Sequence, residues 1–265
     1  VAAEVFVSGR TTVPVLCLSP VTVSVPAGQE RQVELAAPWT SARFWSFEDP
    51  FLYDLVPRVG SQTSAPVRFG FREFRVDGED LRLNGHKVRL KATWGHSGEW
   101  YYGQPSSIRD TLRVMREHNL NCVRYHGQPL PPSFLRAADE VGMLVVAESG
   151  LYHRPVHENS LTHTREWVLR DRNHPSVVIW SGSNEFGHWI VPRDPEKTAC
   201  LLRQEALIRE LDPTRPIMQH GYGPLAGKEE IYNVHYPERA FGMLPNCFRW
   251  PTLQSVEINP HYYDF

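Results

Sequence analysis

Residues 122–148 read CVRYHGQPLPPSFLRAADEVGMLVVAE. An apolar run at Cys122–Tyr125 is followed by helical spacing over Ser133–Val141, a glycine at Gly142, and a second apolar run at Leu144–Ala147. A glycine just past the last periodic residue is a helix stop, because it enters the left-handed region without a Cβ penalty. A continuous apolar run fits a strand covered on both faces, as parallel strands are. The stretch therefore reads as strand, helix, strand, the unit from which parallel sheets are built.

The same rhythm continues in both directions. Upstream, Val88–Thr93 reads as a strand and Ser107–Leu120 as a helix, with Ile108, Leu112 and Met115 on one face and Ser107 and Asp110 near its start. Downstream come a helix at Leu161–Arg172, a strand at Val177–Trp180 and a long helix at Glu196–Leu211 stopped by Asp212-Pro213. Strands at Ile217–Gln219 and Ile231–Val234 follow. This alternation predicts an α/β domain with a (β/α)8 TIM barrel. A complete barrel typically takes about 250 residues, more than the chain holds beyond Val88, so the barrel is expected to be either compact or incomplete at its C-terminus.

The first third has a different texture. Asn84-Gly85 between Leu81–Leu83 and Val88–Leu90 is a hairpin signal. Before it no helical period occurs. Val13 and Val15, then Val21, Val23 and Val25, then Val33 and Leu35, then Phe51, Tyr53 and Leu55 alternate at period two, and Gly60–Pro66 reads as a loop. Short alternating strands predict an immunoglobulin-like antiparallel β-sandwich. The expected division is a sandwich over residues 1–80 and a barrel over residues 81–265.

Composition narrows the function classes. The 265 residues are 41% apolar and 22% charged, with a net charge of -2, which describes a globular chain rather than a disordered one. There is no basic stripe, so nucleic acid is not an expected partner. Cys17, Cys122, Cys200 and Cys247 form no CxxC pair, so neither a zinc site nor a disulfide framework is expected. No apolar run is as long as a membrane span, and no signal peptide is legible. The chain opens at Val1 within what reads as a strand, as a fragment or a mature chain would. Homo-oligomer formation is left open.

Reacting groups in a TIM barrel gather at the carboxyl ends of its strands. Here the first strand runs into Trp94-Gly95-His96 and the second into Arg124-Tyr125-His126. The third ends at Glu148, the fourth at Asn184-Glu185, the fifth at Gln219-His220 and the sixth at His235-Tyr236. Together these outline a polar pocket with carboxylates, an arginine and aromatic rings. Glu148 has two readings, a site carboxylate or the ion-pair partner of Arg124, and Glu185 alone could be a surface or capping glutamate. His96, His126 and His235 match no metal-ligand spacing, so neither a metal nor a cofactor is expected. Trp180 reads as core.

The string Asp171-Arg172-Asn173-His174-Pro175-Ser176-Val177-Val178-Ile179-Trp180-Ser181-Gly182-Ser183-Asn184-Glu185 resembles the acid/base signature of glycoside hydrolase family 2. That family includes β-galactosidases, β-glucuronidases and β-mannosidases. Further strings resemble the family in the same order: Phe44–Tyr53, Phe69–Arg72, Leu83–Val88, Asn121–Arg124, Asp139–Met143 with Glu148, and Leu211–Pro216. The resemblance implies a retaining β-glycosidase that hydrolyses a terminal β-galactoside or β-glucuronide by double displacement. It implies Glu185 as acid/base, Asn184 on the sugar 2-hydroxyl, and Arg124 below the nucleophile. It also implies a sugar contact at His96, with Tyr236 donating to the nucleophile; Glu148 and His235 are substrate-binding candidates from their place at the strand ends.

The sequence departs from the family at the nucleophile. The usual seventh-strand string is absent, and Glu257, in Thr252–Asn259, is the late carboxylate that can fill the role. Glu238 and Glu229-Glu230 sit in loop or helix contexts. The alternative reading is a catalytically inactive carbohydrate-binding relative or a truncated fragment of such an enzyme.

Overall fold

The computed structural model describes residues 1–95, 105–151, 159–184, 195–220 and 230–231. It begins with five antiparallel strands: β1 (Ala2–Val7), β2 (Leu16–Leu18), β3 (Tyr53–Val59), β4 (Gln62–Thr63) and β5 (Val67–Phe69). They form one sheet in the order β2-β1-β3-β4, with β5 also paired to β3. One face carries an aromatic cluster of Val5, Phe51 and Tyr53 with Trp39, Phe69 and Phe71. Tyr53 is its hub, with its ring 4.8 Å from Trp39 and 5.1 Å from Phe51.

The sheet differs from the sequence reading in several places: Val13 and Val15 lie ahead of β2 and are exposed. Val21–Val25 and Val33–Leu35 form no strand, and Val21 and Val25 are exposed. Val21 exchanges two backbone hydrogen bonds with Val1, at 2.7 and 2.9 Å, but no ladder continues from them, and an exposed alternating segment lacks the apolar cover that makes a strand. Gly60–Pro66 is not all loop, since Gly60 at φ +58° turns the chain back and Gln62–Thr63 pairs with the end of β3.

A three-stranded sheet follows: β6 (Phe74–Asp77), β7 (Asp80–Leu83) and β8 (His86–Val88). Asn84 and Gly85 both have positive φ, +52° and +81°, as a two-residue primed turn requires. That tight turn sets Leu83 opposite His86 and Leu81 opposite Val88. The second strand of the hairpin therefore starts at His86, and Arg89 and Leu90 lie beyond it rather than in it.

The remaining elements alternate. They are β9 (Ala92–Gly95), α1 (Pro105–Glu117), β10 (Cys122–Tyr125), α2 (Pro132–Val141), β11 (Leu144–Glu148) and α3 (Asn159–Asp171). After them come β12 (Val177–Asn184), α4 (Pro195–Leu211) and β13 (Ile217–His220). The five strands are parallel and adjacent in chain order, as in the first five strands of the expected barrel. The first of them starts at Ala92, not Val88, because Val88 belongs to the hairpin. Helix α1 ends before Leu120 because Asn119 takes a left-handed conformation at φ +69°. Strand β12 runs past Trp180 to Asn184, four residues beyond the apolar run. Beyond Ile231, the expected sixth strand lies outside the described residues.

Alternation divides the strand residues between two faces. Val123, Tyr125, Val145, Ala147, Val177, Trp180 and Ile217 pack outward against the helices. Cys122, Leu144, Val146, Val178, Ile179 and Met218 face inward. The inward set lies at the amino ends of the strands, where Phe74, Leu81, Leu83 and Val88 of the three-stranded sheet close it off together with Trp45 and Leu52. The amino end is thus dry and plugged, which leaves the carboxyl end for polar chemistry.

The plug is tied in by specific bonds. Trp45, fully buried, donates its indole N–H to the Asp139 carbonyl at 2.9 Å and accepts from the Asn84 amide at 3.0 Å through its own carbonyl. Arg68 pairs with Glu140 at 2.8 Å, and Arg72 donates to the carbonyls of Pro175 and Val177 at 3.1 and 2.6 Å. Gly142 caps α2 at φ +79°, its N–H bonded to Ala138, and its Cα lies under the Phe47 backbone.

A Cβ on Gly142 would stand 2.6 Å from the Phe47 carbonyl oxygen, whereas one on Gly78, at φ +60°, would meet nothing within 4 Å. Gly78→Ala should therefore cost only the left-handed backbone term, about 1 kcal/mol. Gly142→Ala should cost about 2–4 kcal/mol, because the backbone it strikes cannot rotate away. Urea denaturation of both variants checks this, and equal losses would refute the contact with Phe47.

Candidate active site

The site is assembled where the inward face turns polar. Arg124 is the third residue of β10, two beyond the apolar Cys122 on the same face. Glu148 ends β11 on the face of Leu144 and Val146. Ser181 sits beside Glu148 in the ladder. All these side chains are buried.

Strand β12 reaches this layer by two irregularities. Val145 pairs with Val177 but Val146 with Ile179, so β12 carries one extra residue at Val178. Ser181 pairs with Met218 but Asn184 with His220, so it carries another at Gly182-Ser183. In a regular strand Ser181 and Ser183 would share a face and Asn184 would point to the helices. The second bulge reverses this and turns Asn184 inward. Glu185 is the next residue in the sequence.

Arg124 links the three strands. Its guanidinium donates to the Glu148 carboxylate at 2.6 Å and, through Nη2, to the Asn184 amide oxygen. Glu148 also accepts from the Gly127 N–H at 2.5 Å and the Ser181 hydroxyl at 3.2 Å. Asn184 Nδ2 lies 3.2 Å from His126 Nε2. With its oxygen held by Arg124, the Asn184 amide presents its N–H₂ group as a donor of fixed direction. Burial, opposed by the neighbouring Arg124, raises the Glu148 carboxyl to about 7. Of the two readings of Glu148, the geometry supports the ion-pair partner, because both its oxygens are bonded to protein donors.

The structure thus brings Arg124, Glu148 and Asn184 together. His96, Glu185, His235, Tyr236 and Glu257 lie outside the described residues, as do the alternatives Glu229 and Glu238. Gly127 and Ser181, which complete the shell around Glu148, were not singled out from the sequence. A glycine and a serine carry no chemical signature until the fold sets them against a carboxylate. Among the described residues no three His, Cys, Asp or Glu side chains gather as a metal site would need, and no helix is long and apolar enough to cross a membrane.

Most of the string around Asn184 does structural work at the opposite end of the sheet. His174 Nδ1 bonds Asp139 at 2.5 Å, and Ser176 bonds the same carboxylate through its N–H and hydroxyl at 3.1 and 2.6 Å. Arg215 donates to the carbonyls of Arg172, His174 and Val177 at 2.8, 2.9 and 2.7 Å. Asp212 accepts from Arg215 and from the Trp180 indole, the latter at 2.8 Å. Trp180 is accordingly core, edge-on to Trp167 at 4.8 Å.

A raised carboxyl has a definite consequence for stability. A folded value about 7 against an unfolded value near ~4.3 means that the native state binds the extra proton. The contribution is complete below the unfolded value and is lost as pH rises through about 7. Between pH 5 and 8 the stability of the wild type relative to Glu148→Gln should fall by about 3 kcal/mol. Urea unfolding of both proteins at the two pH values measures it, and a pH-independent difference would refute it.

Comparison with known proteins agrees with this architecture. The family model described as glycosyl hydrolases family 2, TIM barrel domain, matches residues 74–237. A β-galactosidase of Aeromonas hydrophila is 31% identical over 211 residues, which is 72% of this chain and 19% of that protein. The chain therefore spans about a fifth of that relative's length. The β-glucuronidase of Parabacteroides merdae superposes with a TM-score of 0.77 at 19% identity, over 99% of this chain and 35% of its own. The β-galacturonidase of Eisenbergiella tayi, solved with galacturonate, superposes with a TM-score of 0.73 at 25% identity, over 98% of this chain and 50% of its own. Because the family match covers more than half the sequence and includes every strand of the parallel sheet, the chain belongs to glycoside hydrolase family 2 and carries its TIM-barrel domain.

Proposed function

We propose that the protein acts as a retaining β-glycosidase on a terminal β-galactoside or β-glucuronide. The observation that supports this most directly is the buried Asn184 amide, turned inward by a bulge and held by Arg124, immediately before Glu185 in the chain. The β-galactosidase and β-glucuronidase among its relatives supply the two sugar classes.

The proposed reaction is a double displacement. Glu185 protonates the departing oxygen while Glu257 attacks the anomeric carbon and forms a glycosyl-enzyme. Glu185 then takes a proton from water as the water oxygen attacks the anomeric carbon, which breaks the bond to Glu257, restores its carboxylate and releases the sugar with its configuration retained. The two carboxyl groups need to stand about 5–5.5 Å apart for this outcome. Asn184 Nδ2 donates to the sugar 2-hydroxyl, a contact that strengthens in the transition state. The Arg124 charge favours an ionised nucleophile. His96, His235 and Tyr236 contact the sugar or the nucleophile, and Glu148 acts through Arg124. The N-terminal sheet is proposed as part of an immunoglobulin-like sandwich over residues 1–80, joined by the three-stranded sheet to a barrel over residues 81–265.

Activated 2-deoxy-2-fluoro β-glycosides of the galacto, gluco, manno and glucurono series, followed by peptide mapping, test the site. A label on Glu257 would establish a complete retaining site and name the sugar class. No label from any sugar on folded chain would point to a partial barrel or a carbohydrate-binding relative. Glu185→Gln should lower turnover of substrates with poor leaving groups by about 10²–10⁴-fold. It should affect dinitrophenyl glycosides far less, since they need little protonation. Uniform activity across leaving groups would refute Glu185 as the acid.

A further inference from the structure

The bulge that aims Asn184 is held from the helix side of the sheet. Two donors converge on the Gly182 carbonyl: the Ser149 hydroxyl just after β11, and Gln204 Nε2 of α4 at 2.8 Å. The same Gln204 nitrogen donates to Thr164 Oγ1 of α3 at 3.2 Å. Gln204 is fully buried, on a helix whose inner positions Leu201 and Ile208 are apolar. A buried amide costs free energy unless it is bonded, so its presence here calls for a reason. Ser183 is bonded as well, to Gln219 at 2.8 Å, and Gln219 donates to Glu205 at 3.3 Å.

Gly182 also stands where the ends of two glutamine side chains close on the backbone. A Cβ on Gly182 would stand 2.6 Å from Gln204 Oε1 and 2.4 Å from Gln219 Nε2. The two glutamines thus press on the bulge as well as bonding it. A bulge leaves ladder groups without their regular strand partners. Here the Gly182 carbonyl is taken by Gln204 and Ser149, and the register beyond it is the one that turns Asn184 onto Arg124.

We propose that Gln204 is a positioning residue for the reaction. Through the Gly182 carbonyl it holds the bulge that sets Asn184 on Arg124, one residue before Glu185 in the sequence. The inference rests on the glycosidase reading for its effect on rate, but not for its effect on geometry.

The test compares Gln204→Leu with Thr164→Val, which removes the other acceptor of Gln204 and leaves the bulge bond in place. Ser149→Ala, which removes the second donor to Gly182 from a different element, covers a failure of Gln204→Leu to fold. Kinetics are read on aryl β-glycosides of graded leaving-group acidity. The expected result for Gln204→Leu or Ser149→Ala is a kcat lower by about 10–100-fold on poor leaving groups, shrinking as the leaving group improves. KM should change little, and Thr164→Val should keep the wild-type kcat throughout. A wild-type kcat in folded Gln204→Leu, a wild-type kcat in Ser149→Ala where Gln204→Leu does not fold, or a loss that Thr164→Val shares at every leaving group, overturns the proposal. If the wild-type chain turns over no glycoside, the glycosidase reading fails, and crystal structures of the same variants decide the positioning role alone. Asn184 displaced from Arg124 supports it, and an unchanged Asn184 overturns it.

Discussion

The site depends on one buried guanidinium. Arg124 sits on β10, with Glu148 on the adjacent β11 and Asn184 on β12 beyond it. A charge taken out of water at this depth is tolerable only with a partner and filled hydrogen bonds. Glu148 supplies the partner, and Gly127 and Ser181 supply donors for its remaining lone pairs. Removing Arg124 or Glu148 would leave the other's charge buried without its counter-charge. The arrangement therefore specifies a geometry more than it adds stability, which suits a group that must face a reacting centre.

That polar layer is possible because the other end of the sheet is sealed. The inward side chains at the strand starts are apolar and are covered by the hairpin around Asn84-Gly85 and by Trp45. The bonds from Trp45 to Asp139, Arg68 to Glu140 and Arg72 to Val177 fasten the N-terminal region to the same end. Water and ligand are thereby left the carboxyl end, where the loops of such sheets carry chemistry. The stretch from Asp171 to Ser176, next to Asn184 in the sequence, belongs energetically to this sealed end. Its side chains and carbonyls are bound by Asp139 and Arg215, not by the site.

Strand β12 connects the two ends, and its bulges are what make it do so. A regular strand would carry Ser181 and Ser183 inward and leave Asn184 among the helices. One extra residue at Gly182-Ser183 exchanges those positions. The absence of a Cβ at Gly182 lets Gln204 and Gln219 close on the backbone there. Their contact is on the side of the sheet away from Arg124, so the helix layer takes part in shaping a site it does not line.

Much of the fold was legible because it rests on local signals. The apolar runs at Cys122–Tyr125 and Leu144–Ala147, the helical spacing between them and the stop at Gly142 each report a property of a few neighbouring residues, and the structure reproduces them. The Asn84-Gly85 turn was equally local, and only the strand following it was misjudged by two residues. Arg124, Glu148 and Asn184 could be named because they stand near the carboxyl ends of strands and fall within or beside strings that resemble the family. Their linkage could not, since it depends on the register between strands distant in sequence. The valines at 21, 23 and 25 show the reverse limit: their alternation is real, but beyond the pairing of Val21 with Val1 no ladder forms, and Val21 and Val25 stay exposed. The roles of Ser181, Gly182 and Gln204 were likewise decided by tertiary structure alone. A small residue or a buried amide acquires meaning only when packing brings a carboxylate or a free carbonyl to it. Sequence determined which elements form and which side chains end them; the fold decided which of those side chains meet.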